Sequence, residues 1–176
     1  MTTTLLFLAL LVAINPLRVH AVRPEPTTVG VLGYAAAGVM GLGAVFAVLA
    51  DPLLDLVDVS VSSARIAGGV ALVVVAARDV FAPVPKPEPS LAGDRAGFVP
   101  MAFPAAMNPA TALLTIGAAA DRGVGVALLV LALALIAALA VAAAPRLPAL
   151  RTLVAAVGAG GVAVGVLVTM DGVLAI

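Results

Sequence analysis

Apolar runs of about twenty residues, parted by short polar stretches, fill this chain from end to end. In order they predict six membrane spans, at 4–22, 29–50, 61–83, 97–119, 123–144 and 149–175. At 1.5 Å per helical residue, about twenty residues cross a hydrocarbon core of about 30 Å. Two of the runs carry an Asn-Pro pair near their middle. These are Asn15-Pro16 in LLFLALLVAINPLRVHAV and Asn108-Pro109 in GFVPMAFPAAMNPATALLTIG. Proline has no N–H to donate and its ring clashes with the carbonyl four residues back, so helices 1 and 4 are expected to be broken. In lipid the freed carbonyls and the Asn amides must face protein, a solute or a water-filled cavity.

The polar positions refine this picture. Asp51, Asp55 and Asp58, spaced by three to four residues, predict a solvated interfacial turn after the second span. In the third, only twelve uncharged residues, Ile66–Ala77, separate Arg65 from Arg78-Asp79. That is roughly 20 Å of helix, so at least one end must snorkel or line a polar cavity. The segment 84–96 is rich in proline and charge and reads as a cytoplasmic linker between two halves, 1–83 and 97–176. The fifth span is an uninterrupted Leu/Ala/Val helix that faces lipid. In the sixth, Gly158, Gly165 and Gly172 lie seven apart on one face, a pattern for close helix packing.

The halves resemble each other. A shift of 92 places Ala67, Gly68, Gly69, Val70, Ala71, Val74 and Asp79 on identical residues at 159, 160, 161, 162, 163, 166 and 171, and a shift of 93 relates the two Asn-Pro pairs. Three spans per half is an odd number, so the second copy must run inverted. The expected fold is therefore all-α, a polytopic membrane protein of six transmembrane helices in two inverted three-helix repeats. Paired breaks at matching positions of two such halves point to a transport site.

Composition agrees: 64% of residues are hydrophobic and 10% charged, against about 45–50% and about 25% in soluble domains. The net charge is zero, which provides no global field for nucleic acid. There is no cysteine and a single histidine, so thiol chemistry and multi-ligand metal centres are not expected, and no metal or cofactor is assigned. No Ser-His pair, His/Cys cluster or carboxylate dyad supports an enzyme. The apolar run Leu5–Ile14 lacks a preceding Lys or Arg, which favours a retained first helix over a signal peptide. With the N-terminus outside, inner loops hold Arg18, Arg23, Arg78, Lys86, Arg95, Arg146 and Arg151, and outer loops hold Arg65 and Arg122. Both termini are accordingly expected outside.

Candidate substrate-binding residues follow from the breaks. Asn15 and Asn108 each offer two donors and an acceptor, and Pro16 and Pro109 open the backbone beside them. Each Asn either holds a substrate or caps its own kink. Thr111 and Gly68-Gly69 are expected to line the cavity with them. Arg65 either counters a substrate carboxylate or pairs with Asp58 at the outer surface. His20, Asp79 and Asp171 are candidates for proton or ion coupling, with interfacial placement the ordinary alternative. Two functions fit: a carrier of a small zwitterion such as a neutral amino acid, or a non-transporting subunit that docks partner membrane proteins through glycine-rich helix faces. The partners are the lipid bilayer and a small-molecule substrate. A homodimer is expected by analogy with other small inverted-repeat carriers, and nucleic acid is not expected.

The run SARIAGGVALVVVAARDVFA at Ser63–Ala82 resembles the MarC family of bacterial inner-membrane proteins, which carries a similar Phe-Arg-Ile-Ala-Gly-Gly at the start of its third helix. Asn15-Pro16 is similar to that family's Asn-Pro-x-Gly-x-x-Pro, Pro100-Met101-Ala102-Phe103-Pro104 to its Pro-Leu-Ala-x-Pro, and Asp171-Gly172 to its terminal Asp-Gly. The resemblance implies a six-helix protein of the cell membrane, in a superfamily of amino-acid exporters whose MarC members are commonly described as small neutral amino-acid transporters. This chain departs from the pattern. Arg18 stands at the family glycine and Ala21 at its second proline. Asn108-Pro109-Ala110-Thr111 replaces Gly-Pro-Gly-Ala and looks more like the Asn-Pro-Lys of lysine-exporter relatives. The chain reads as a short, divergent member.

Overall fold

The computed structural model describes residues 1–82, 91–145 and 149–176; among them the chain is helical, with no strand. The helices are α1 (Thr3–Ile14), α2 (Pro16–Val22), α3 (Val29–Val48), α4 (Ala50–Leu56), α5 (Val61–Phe81), α6 (Pro109–Arg122), α7 (Val124–Ala143) and α8 (Leu150–Val173). Of the expected linker at 84–96, residues 84–90 lie outside the described residues.

Among the described residues, four stretches are long and apolar enough to cross a membrane: Thr3–Val22, which joins α1 and α2, then Val29–Val48, Val124–Ala143 and Leu150–Val173. Two bent pairs bring the number to six if each is one span. They are α4 with α5, bent by 99°, and Gly93–Ala106 with α6, bent by 73°. Local chemistry sets several helix starts. The hydroxyls of Thr2, Thr28 and Ser60 accept from the N–H of Leu5, Val31 and Ser63 at 3.2, 3.1 and 3.1 Å, satisfying donors a first turn leaves free. The acidic stretch after the second span is the short helix α4, with Asp51 and Asp55 exposed on it.

The fourth span differs from an interrupted helix. Its first part, Phe98–Ala106, contains extended residues at Val99 (φ −127°, ψ 122°) and Phe103 (φ −132°, ψ 129°). Each precedes a proline, whose ring pushes the preceding residue out of the helical region. The result is an irregular strap laid along α3. The side chains of Phe98 and Ala102 cover Gly38, and Gly97 lies against the Val31 carbonyl.

The core gathers around α1, where Leu6, Ala9, Leu10, Ala13 and Ile14 are fully buried. On α7 the Ala127, Leu131, Ala134 and Ala138 face turns inward, while Leu129, Leu133 and Ile136 point out. α5 and α8 run antiparallel, backbone against backbone. A Cβ at Gly165 would stand 2.7 Å from Val73 Cγ2 and 2.9 Å from the Gly69 carbonyl. Gly158 faces Ala76 and Asp79, and Gly172 faces Ile66 and Ser62. The seven-residue glycine spacing therefore serves packing. Without Cβ atoms the two helices approach closely enough for dispersion to hold them together in lipid.

Candidate functional site

At the first break Asn15 adopts a left-handed conformation (φ 47°, ψ 89°). Its N–H closes α1 on the carbonyls of Leu11 and Val12, both at 3.1 Å. Pro16 then starts α2, where a missing N–H costs nothing, and Asn15 Oδ1 accepts from the Arg18 N–H at 3.3 Å. α1 thus stops before the residue that would donate to the Ala13 carbonyl. The donor comes instead from the other half of the chain: Asn108 Nδ2 reaches that carbonyl at 2.6 Å.

At the second break Asn108 is extended (φ −105°, ψ 172°), as a residue before proline must be outside the helical region. Its Oδ1 accepts from the N–H groups of Ala110 and Thr111 at 3.0 and 3.2 Å, capping α6. Its Nδ2 also lies 3.4 Å from the Ala105 carbonyl. Thr111 Oγ1 donates to the Ala106 carbonyl at 2.8 Å, and Thr115 Oγ1 to the Thr111 carbonyl at 2.7 Å. Asn15, Thr111 and Thr115 are fully buried and Asn108 nearly so. The two interruptions therefore meet, and each Asn caps its own break while reaching beyond it.

A charged pair completes the site. Asn15 Nδ2 donates to Asp79 Oδ2 at 2.7 Å, and Arg18 Nη2 stands 2.6 Å from Asp79 Oδ1. The Asp79 and Arg18 side chains are 5% and 8% exposed. Asp79, expected near an interface, instead turns inward at the end of α5, with its Cβ over Gly158; its neighbour Arg78 is exposed. Arg18 was not among the candidate site residues. Its signal was a cation three positions after a helix break, inside the same apolar run. The rest of α2 is tied to carbonyls at the end of α7, where a helix runs out of its own i+4 donors. His20 Nδ1–H donates to the Val141 carbonyl at 3.0 Å, and Arg23 Nη1 to those of Ala142 and Ala144 at 2.5 and 2.6 Å.

The remaining candidates lie elsewhere. Arg65 pairs with Asp121 at 2.9 Å and with Asp171 at 3.0 Å, rather than with Asp58. Arg122 joins this cluster through Asp121 and donates to Thr3 Oγ1 at 2.6 Å. Gly68 packs on Leu114, and Gly69 on Thr169 and Gly165, so neither adjoins Asn108, which bonds the Ala13 carbonyl, as Thr111 does. Two polar layers result, joined by the same three helices. Arg65 to Asp79 along α5, Thr3 to Asn15 along α1, and Asn108 to Arg122 along α6 each span about 20 Å. Between the layers lie apolar side chains such as Leu6, Leu10, Leu72 and Leu114. Among the described residues no three His, Cys, Asp or Glu side chains are grouped to hold a metal ion.

A family model described as MarC family integral membrane protein matches residues 35–170. No curated protein and no solved structure matches the chain.

Proposed function

The chain belongs to the MarC family of integral membrane proteins, and on that premise we propose that it is a secondary transporter of a small solute, a neutral amino acid or a similar zwitterion. Transport would proceed by alternating access around the two Asn-Pro breaks. One observation carries the proposal: the amide of Asn108 fills the Ala13 carbonyl opened by the other break, beside the Asn15–Asp79–Arg18 group. Backbone groups freed at a helix break inside a membrane protein can be satisfied by side chains or by a solute with matching donors and acceptors. A continuous helix offers no such exchange.

Three further features support the reading. The two polar layers at opposite ends of α1, α5 and α6 suit a carrier that closes one side while it opens the other. α5 and α8 pack antiparallel with Val73 against Gly165, a pair separated by the 92-residue shift of the internal repeat, as two inverted copies crossing on a pseudo-two-fold axis require. The excess of Lys and Arg in alternate loops supports outside termini and a cytoplasmic Arg18–Asp79 layer. The docking alternative loses ground where Gly158, Gly165 and Gly172 are covered by α5.

The test is flux of a broad amino-acid panel into proteoliposomes, with wild type and with the Asn15→Ala/Asn108→Ala variant. At least one solute should move with wild type and fall toward background with the variant. Background flux for the whole panel with both proteins would favour a docking role.

A further inference from the structure

We propose that Arg18 and Asp79 together read the two charges of the substrate, by exchanging each other for it. This deepens the transporter reading and rests on it. The pair lies 2.6 Å apart, buried within membrane-spanning segments, where a lone charge is costly. Structure alone gives it a weak reason to exist, because apolar side chains of similar volume often replace a buried ion pair with no loss of stability. Its placement supplies another reason. Asp79 is held by Asn15, the residue at which α1 ends, whereas Arg18 rides on the seven-residue helix α2 beyond that residue. A movement of α2 about the left-handed Asn15 link draws the guanidinium away from the carboxylate.

The opened pair presents a forked donor on one side and a carboxylate on the other. An α-amino acid matches both: its carboxylate takes the Arg18 fork, and its ammonium takes Asp79. The exchange conserves charge. One internal ion pair becomes two pairs with the solute, and the site stays neutral before and after. An anion without an ammonium leaves Asp79 unpaired, and a cation without a carboxylate leaves Arg18 unpaired. Recognition of this kind rejects both kinds of single ion and accepts the zwitterion. Arg18, which stands where the family resemblance places glycine, is thereby a specificity residue of this chain.

The experiment compares alanine with propionate, which lacks the ammonium, and with alaninamide, which lacks the carboxylate, as solutes and as competitors in proteoliposomes. A wider set of zwitterions (glycine, serine, valine) is run beside them. Wild type should carry at least one zwitterion and prefer it to the single ions by about 100-fold or more, the discrimination expected when a buried partner is left unmatched. Arg18→Gln should raise the relative uptake of alaninamide, and Asp79→Asn that of propionate. Should the variants fail to elute as folded protein, the wild-type ranking decides alone. Zwitterion flux without preference over the single ions, or with a ranking that folded variants leave unchanged, overturns the charge exchange and leaves the carrier standing. Background flux for every solute removes the carrier reading itself.

Discussion

Replacing Asp79 by Leu removes the carboxylate that holds Arg18 at 2.6 Å and Asn15 at 2.7 Å. The guanidinium, 8% exposed, would be left in an apolar setting without a counter-ion. Breaking a buried ion pair from one side costs about 3–5 kcal/mol, and the lost Asn15 bond to the carboxylate adds about 1.5–3 kcal/mol. A whole domain is stable by only about 5–15 kcal/mol, so the single variant should be close to unfolding. Arg18→Met should cost a similar amount, because Asp79 then keeps only the Asn15 amide. The double variant Arg18→Met/Asp79→Leu carries no buried charge and should unfold within about 2 kcal/mol of wild type. Equilibrium unfolding of the four proteins in bicelles measures the cycle, with an expected coupling of about 3 kcal/mol or more. Additive single costs would mean that the two groups do not meet in the folded protein, and the reasoning about the site would fail with them.

Other expectations follow from the same geometry. Asn15→Gly should be more stable than Asn15→Ala by about 1–2 kcal/mol in thermal unfolding, since both lose the Asp79 bond and only alanine must be forced to φ 47°. Asn108→Ala should lose about 1 kcal/mol for the α6 cap and about 1–3 kcal/mol for the unpaired Ala13 carbonyl, read by the same assay. Gly165→Val should abolish a monodisperse peak on size exclusion because its Cβ collides with Val73 and the Gly69 carbonyl, whereas Gly160→Val, with nothing within 4 Å, should elute as wild type. A cysteine placed at Ala92 should resist an impermeant thiol reagent added from outside and react with a permeant one, which checks the topology.

Much of the architecture is legible in the chain because lipid makes it so. Uncharged runs of helical length have one place to go, and a proline inside them announces its break through the missing N–H. The irregular start of the fourth span was legible too, in the rule that Val99 and Phe103, standing before prolines, leave the helical region. Hydropathy hides it, since the strap is as apolar as a helix. The partners of the charges were not legible. Asp79 meets Arg18 because the end of α5 abuts the break in α1, and Arg65 meets Asp121 and Asp171 because three helix ends share one surface. Sequence spacing offered Asp58 as one partner for Arg65, a local neighbour that the packing passes over. The roles of Gly68 and Gly69 were likewise decided by which helix came to lie on them.

The chain has no cysteine of its own, so engineered pairs can report contacts without background. The most direct measurement is cross-linking of Ala13→Cys with Asn108→Cys in native membranes by a short bifunctional thiol reagent, read by mass spectrometry of the digest. Arg65→Cys with Asp171→Cys, at a contact of 3.0 Å in the other layer, serves as the positive control. If the two breaks meet inside the membrane, the 13–108 pair links as readily as the control. A control that links while the 13–108 pair does not would separate the breaks and contradict the account.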